Sequence, residues 1–589
     1  MIIGRITKVD GIKVVGTFYE KLPPHLIDKD KITPAPQINS FVKTKIGLDS
    51  IICQIVGEHE FEYDKYKSED SNLEYTKENF MVDLEVRGRI ICNEFKGGLR
   101  CLPIVGAIIE TLDESSYNAL FGNKEGLQIG SNLFDTSNIV YLDSNKLIPS
   151  HIGIFGNTGS GKSNTLARLL KEYVKIIPPS CNNAKILLFD LNNEYGGSSI
   201  IEEGEKNIYT LNTRIRPGSG EKNDRIPIDV ANLTEDNWGT LLRATQKTQM
   251  PVVRRAFKNW KNPVEPDFIK RIKDMLINRK SMAFYTFRDN ADNYFTKLDV
   301  LIFHSKNGLF YWHDSGTQKF CNAVEDCPDI ELKYELSTLD KFFIELLLEI
   351  SRASESGTNY EYVQPLIARA RVLIKDLNKI LNTDHSGKIS DIFNDKIMAV
   401  IKLGNVNMGV RELIPSLMSE LIFQNAIETK KGSKTEEIIS IVIDEAHNLL
   451  SYDPNKNDLV HDNTIRVFER IIKEGRKFGV FLYLSSQRPS DISETITSQI
   501  HNYFIHKLVN PRDIEKIRKT VSFMGDSSLS MLSALGQGEC IISGPSLYMP
   551  QYVYVSELDK KSKPNSNDLT LTGEDGIFEK RRNTHASRP

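Results

Sequence analysis

The sequence predicts an α/β fold: a parallel sheet covered by helices, preceded by an N-terminal small β-barrel and interrupted by an inserted helical bundle. Three observations carry this expectation. Up to about residue 112, short runs alternate apolar and polar residues between glycines. From residue 138 onward, buried apolar strands alternate with helical patterns. Between residues 231 and 394 the apolar period is helical instead.

The alternating runs are residues 2–9, 12–18, 40–46, 51–56, 82–92 and 101–109, punctuated by Gly11, Gly16, Gly57, Gly97 and Gly98. Residues 58–79, rich in charge and tyrosine, read as a long loop. In the next section, residues 152–155 form a strand that leads into a glycine loop and a helix over 165–176, and 185–190 form a second strand. Helical patterns at 268–277, 340–351 and 362–380 mark the insertion. Alternation returns with a strand at 397–403, a helix at 410–428 and strands at 438–443 and 480–485. The resulting division is 1–115 (barrel), 116–230 (first part of the core), 231–394 (helical insertion), 395–556 (second part of the core) and 557–589 (a polar, basic tail, ordered only where another surface holds it).

At 589 residues the chain exceeds one ordinary core, so roughly three or four folding units are expected. Apolar residues at 40% and charged residues at 26% exclude a disordered or membrane-embedded class. No apolar run approaches the ~20 residues that a bilayer requires, and the first residues lack the pattern of a signal peptide, so a cytoplasmic protein is expected. The seven cysteines contain no CxxC pair, which argues against a disulfide framework or a zinc site. A net charge of −3 gives no overall polybasic signal, so any nucleic-acid contact must come from charge concentrated on one surface. The basic stretches at 254–261 and 369–375 are read as solvated helix faces, and no DNA site is assigned to them.

The segment Gly156-Asn157-Thr158-Gly159-Ser160-Gly161-Lys162-Ser163 is a GxxxxGKS loop set between a strand and a helix. Its glycines let successive backbone N–H groups point at phosphate oxygens, and the following helix N-terminus adds favourable partial charge. Lys162 is expected to reach the β- and γ-phosphates of ATP, and the Ser163 hydroxyl to meet Mg2+. Asn164 completes the candidate nucleotide-binding set. The apolar run Ile438–Ile443 ends in Asp444 and Glu445. Paired acids at a strand tip also occur as solvated caps, but beside a phosphate loop Asp444 is assigned to the metal and Glu445 to the attacking water. The letters of Asp444-Glu445-Ala446-His447 spell the box of two-lobed RNA helicases. Here, however, the next strand runs into Ser485-Ser486-Gln487-Arg488-Pro489, and too little chain remains for a second motor lobe. With one lobe per chain, the arginine that completes each site is expected from another subunit.

Further blocks extend the pattern: His151 to Gly156 leading into Thr158 to Asn164, Phe189-Asp190-Leu191-Asn192-Asn193-Glu194-Tyr195, the Asp444-Glu445 strand, and Glu474-Gly475-Arg476-Lys477-Phe478-Gly479-Val480. Ser486 to Asp491 and Leu535-Gly536-Gln537-Gly538-Glu539-Cys540 follow. In this order the blocks resemble the HerA branch of the HerA and FtsK translocases, in its bacterial type. The resemblance implies a RecA-like P-loop ATPase core, Mg2+-dependent ATP hydrolysis and a homohexameric ring with double-stranded DNA in its channel. It also implies that Gln487 is a polar sensor of the γ-phosphate, that Arg476 is a finger entering a neighbour's site, and that Glu194 is an acid close to the nucleotide. The polar loop at 451–461 leaves the arginine's register open, with Arg470 as the substitute. Family members act beside a nuclease of the NurA type or, in antiviral defence, beside sirtuin-type or other nuclease effectors. The competing reading is a nucleotide-regulated scaffold ring that activates an antiphage effector with little motion on DNA. A coupling ATPase of conjugation or packaging is disfavoured by the barrel-like start and the lack of a membrane segment.

Overall fold

In the computed structural model the described residues are 1–28, 31–47, 49–62, 66–67, 74–75, 78–121, 126–178, 183–215, 224–263, 265–278, 281–314, 316–355, 360–382, 388–430, 437–451, 459–521 and 526–565. Six strands form the first unit: β1 (Ile2–Asp10), β2 (Lys13–Phe18), β3 (Phe41–Ile46), β4 (Asp49–Glu62), β5 (Glu78–Ile91) and β6 (Ile108–Thr111). They pair in the order β5-β2-β1-β6-β3-β4, and β4 returns to β5, so the six close into a barrel, with a further short strand, Glu94–Gly97, paired to β5. One face of each strand supplies the interior, including Ile6, Val14, Val42, Ile51, Leu84 and Ile109. Gly16 is required there, because a Cβ at this position would lie 2.4 Å from the Ile109 side chain.

Two expectations for this unit change. The run at 101–109 is a strand only from Ile108, because Pro103 has no N–H for a ladder and Gly106 turns with φ +91°. The loop expected from residue 58 begins later, since Glu58 pairs with Val82 and the ladder continues to Glu62 opposite Glu78. Local charge misled the reading here, since a two-stranded ribbon projecting past a barrel can be polar on both faces. Residues 63–65, 68–73 and 76–77 of that segment lie outside the described residues.

The core sheet has eleven strands. In chain order they are β7 (Leu127–Asn132), β8 (Ile139–Leu142), β9 (Ile152–Phe155), β10 (Ala184–Asp190), β11 (Lys206–Asn212), β12 (Met398–Asn405), β13 (Ile438–Ile443), β14 (Val480–Ser486), β15 (Asn502–His506), β16 (Glu539–Ser543) and β17 (Gln551–Val555). Their spatial order is β8-β7-β17-β16-β15-β9-β14-β13-β10-β12-β11. The seven strands from β15 to β11 are parallel, and β16, β17, β7 and β8 extend the sheet in antiparallel fashion. Strands β9, β10 and β14 are buried along their whole length, which explains their unbroken apolar runs. Parallel pairing places every carboxyl end along one edge, where ligands of open α/β sheets bind.

Helix α1 (Lys162–Ile176) follows β9, α2 (Met408–Thr429) follows β12 and α3 (Leu459–Glu474) precedes β14. Between β11 and β12 the described residues form six α-helices, among them Met250–Lys261, Thr338–Glu355 and Tyr360–Ile380. The same segment also carries a three-stranded sheet of Ile302–His304, Leu309–Asp314 and Thr317–Phe320, which a purely helical reading left out. The insertion shares one apolar core with the sheet: Leu187 and Ile401 belong to the same cluster as Trp238, Phe342 and Leu366. Inside it Trp238 stacks on Phe342 with ring centroids 3.8 Å apart.

The first residues of the expected tail are held by the core itself. Leu558 and Ser562 are buried, Lys171 on α1 contacts Asp559 at 3.0 Å and Ser562 at 2.8 Å, and the Asn565 N–H donates to the Glu194 carbonyl at 2.8 Å. Residues 566–589 lie outside the described residues. Among the described residues no helix is long and apolar enough to cross a membrane. Because the Trp238–Phe342 stack lies where insertion and sheet share their core, Phe342→Ala is expected to destabilise the protein by about 3–5 kcal/mol. Chemical denaturation followed by tryptophan fluorescence checks this, and an unchanged midpoint would contradict it.

Candidate active site at the carboxyl edge of the sheet

Strand β9 delivers the chain to the loop at 156–161, and Gly159 (φ +73°) and Gly161 (φ +105°) take the left-handed backbone that glycine adopts without strain. Gly156 is fixed by packing, since a Cβ there would lie 2.5 Å from the His506 Cβ. Helix α1 begins at Lys162, three residues before the expected start at 165. The N–H groups of Lys162, Ser163 and Asn164 therefore belong to the first turn, where backbone donors have no partner within the helix. The Lys162 ammonium is buried, and its Nζ donates to the Asn157 carbonyl at 3.1 Å. Burial pushes its pKa down, and Glu445, Asp444 and Glu194 counter by favouring the charged form.

Strand β13 is separated from β9 by β14 alone, so its carboxyl tip faces the loop. Asp444 is buried there: its Oδ1 accepts the Glu445 N–H at 3.0 Å and its Oδ2 accepts the Tyr195 hydroxyl at 2.8 Å. Glu445 sits at φ +52°, a costly conformation for a side-chain-bearing residue that turns its carboxyl toward the loop. Its Oε1 accepts the Gln487 amide at 2.5 Å, and the Gln487 Oε1 accepts the Thr158 hydroxyl at 2.5 Å. Gln487 thus links the acid to the phosphate loop. The Glu445 Oε2 is buried, has no hydrogen-bond donor among the described residues, and stands 3.4 Å from the His447 Nδ1.

Beyond β10 the chain wraps around Asp190, whose carboxylate accepts the N–H groups of Glu194 at 3.0 Å and Tyr195 at 2.9 Å. Asn193 (φ +64°) ties this turn to β12 by accepting the Gly404 N–H at 3.1 Å. Glu194 is half-buried. Burial and the nearby Asp444 push its pKa up to about 7; a hydrogen bond from Asn192 opposes the shift, and Asp190 and Glu445 add to it.

The phosphate loop, Asp444, Glu445, Gln487 and Glu194 are therefore gathered at one edge. Asn164 is placed differently from a phosphate contact: its side chain donates to the Ser556 carbonyl at 3.3 Å and accepts the Leu558 N–H at 3.2 Å, which leaves only its backbone for a nucleotide. Arg476 lies at the opposite edge, in the turn before β14. The seven residues of β14 span roughly 20 Å, so its guanidinium is out of reach of its own phosphate loop. It is exposed and makes no ion pair among the described residues; burial, and after it the Arg476 charge, disfavours protonation of His501. Arg470, near the same edge, pairs with Glu474 at 3.6 Å and lies over the Phe423 ring.

The Tyr195 hydroxyl and His506 were not singled out from sequence, although Tyr195 stands in a quoted block. His506 ends a five-residue apolar strand that carries no motif of its own. The basic stretches are engaged within the protein: Arg254 pairs with Glu235 at 3.3 Å, and Arg369 donates to Gln249 at 2.6 Å. A cleft of 710 Å3 opens beside the loop, lined by Asn157, Thr158, Gln487, Arg488, Asp491 and Arg512.

A glycine loop at the tip of one strand, facing two acids at the tip of the next strand but one, defines a RecA-like P-loop ATPase. Residues 127–306 match the family model described as the central domain of helicase HerA. A DNA double-strand break repair helicase HerA from Sulfurisphaera tokodaii is 29% identical over 421 residues, covering 70% of this chain and 67% of that protein. A probable helicase from Methanocaldococcus jannaschii is 26% identical over 479 residues, covering 80% of this chain and 74% of its own length. Among solved structures, VirB4 of Thermoanaerobacter pseudethanolicus aligns with a TM-score of 0.38 and 14% identity, covering 74% of this chain and 96% of that one. The chain is similar to helicases of the HerA family over this region, and it is an ATPase.

A pKa raised on folding means that the folded state holds the proton more tightly than the unfolded chain, so losing it costs stability as pH rises from the ordinary value of 4.5 through about 7. Glu194→Gln is therefore expected to raise the melting temperature of the nucleotide-free protein at pH 8, with the gain shrinking as pH falls toward 4.5. Equal melting temperatures of variant and wild type at pH 8 would contradict the burial and repulsion described here.

Proposed function

We propose that the protein is a DNA-translocating ATPase that works as a homohexameric ring on double-stranded DNA. The observation that carries this reading is the split of the catalytic set between the two edges of one sheet. The phosphate loop, both acids and Gln487 stand at the carboxyl edge, while Arg476 is stranded at the other, so Arg476 can complete a site only from a neighbouring copy. The names of the relatives, repair helicases of DNA, support the choice of polymer.

The residues present suit a magnesium nucleotide. The Ser163 hydroxyl and the Asp444 carboxylate are hard oxygen donors, and no cluster of three or more His, Cys, Asp or Glu side chains competes for a metal among the described residues. Magnesium, when bound, would neutralise phosphate charge and polarise the phosphoryl group. The loop amides and Lys162 orient the triphosphate. The Glu445 carboxylate, with one oxygen buried and free of donors, accepts a proton from water and aims it. Gln487, bonded to both Glu445 and the loop, registers the γ-phosphate, and Glu194 adds a second acid whose proton is held near neutral pH. A separate nuclease or effector would do the cutting, since no part of this site is arranged to cleave DNA.

Lys162→Ala is expected to abolish ATP turnover while leaving the fold intact by circular dichroism, and ordinary turnover in that variant would refute the site. Arg476→Ala alone should be inactive as well. Mixed with Lys162→Ala chains at equal ratio, it should regain turnover at about a quarter of the interfaces by random assembly. No recovery on mixing would remove the in-trans arginine. Turnover measured without DNA, with short duplexes and with long duplexes should rise with duplex length; indifference to DNA would favour a scaffold ring that switches an effector.

A further inference from the structure

The block from Leu535 to Cys540 and the end of β15 take no part in the chemistry above, yet both press on the back of the phosphate loop. His506 is fully buried. Its Nδ1 lies 2.9 Å from the Glu539 carbonyl and its Nε2 lies 2.9 Å from the Thr165 hydroxyl in the second turn of α1. A carbonyl only accepts, so Nδ1 carries the proton and Nε2 accepts the threonine's. Burial keeps the ring neutral, lowering its pKa to about 4, against the Glu539 carbonyl and with the Lys162 charge.

Around this ring the loop is held at three backbone points. The Asn157 N–H donates to the Lys507 carbonyl at 2.9 Å, and the Gly538 N–H donates to the Ser160 carbonyl at 3.0 Å. A Cβ on Gly161 would lie 3.0 Å from both the Cα and the N of Gly538, so the two glycine backbones touch. Gly538 itself (φ +81°) passes the tether on, since its carbonyl accepts the Val555 N–H of β17 at 2.9 Å. Gly156 rests against the stem of His506. The antiparallel strands β16 and β17 thereby brace a loop whose amides would otherwise have to be ordered by the nucleotide itself, at a cost in binding free energy.

We propose that His506 is a positioning residue which, with the Gly538 backbone, clasps the phosphate loop in its nucleotide-binding shape. The clasp rests on the reading of 156–163 as the phosphate site and acts on affinity rather than on the hydrolytic step, because it touches neither Glu445 nor Gln487.

The test compares full-length wild type with His506→Phe, which keeps a ring but loses both hydrogen bonds, and with Thr165→Val, which loses only the hydroxyl. Binding of a fluorescent ATP analogue with Mg2+ and turnover at saturating ATP are measured for each. The Kd is expected to rise about tenfold in His506→Phe, with kcat within about twofold of wild type. His506→Asn, which restores a donor near the Nδ1 position, should recover part of the affinity. A merely structural role would lower the melting temperature and the active fraction while leaving the Kd of the folded fraction unchanged, and that result overturns the proposal. If His506→Phe does not fold, Thr165→Val decides alone, and wild-type affinity in it overturns the clasp. Failure of the wild type to bind the analogue would remove the phosphate site itself, whereas normal wild-type binding with unaltered variants would remove only the clasp.

Discussion

One buried lysine facing three carboxylates organises this molecule. Lys162 gives up hydration at the start of α1, and Glu445, Asp444 and Glu194 sustain its charge. The reverse also holds, because the acids crowd one another and Glu194 is pushed toward neutral pH. On the reading proposed above, a magnesium triphosphate would bring both an anion for the lysine and loop amides and a cation for the acids. Much of the surrounding structure serves to hold these groups together against their own desolvation.

The sheet fixes where that local chemistry stands. Parallel pairing of β9, β14, β13 and β10 sets the loop, Gln487 and the acids on one edge and the Arg476 turn on the other. The insertion and the retained carboxyl-terminal segment reinforce the layer. The first shares its apolar core, and the second bridges Asn164, Lys171 and the Glu194 carbonyl, joining the phosphate helix to the acidic turn.

Legibility in the sequence followed locality. The phosphate loop and the Asp444-Glu445 pair could be read because their chemistry needs contiguous residues at fixed spacing beside an apolar strand. Strands β15, β16 and β17 were missed: they are five-residue apolar runs whose pairing with β9 and β7 is set by tertiary contacts and leaves no periodic signal. His506 was invisible for the same reason, since its partners Thr165 and Glu539 are far away in the chain. The strand boundary at 101–109 and the three-stranded sheet inside the insertion failed where alternation of residue types was a poor guide to pairing. Arg476 carried a motif, but its separation from its own phosphate loop emerged only with the strand order.

The most direct measurement is a calorimetric titration of the purified full-length chain with ATP, run with and without Mg2+. The account requires saturable uptake at one site per chain that depends on the metal. Well-folded protein that takes up no adenine nucleotide in the presence of Mg2+ would contradict it, whatever its family.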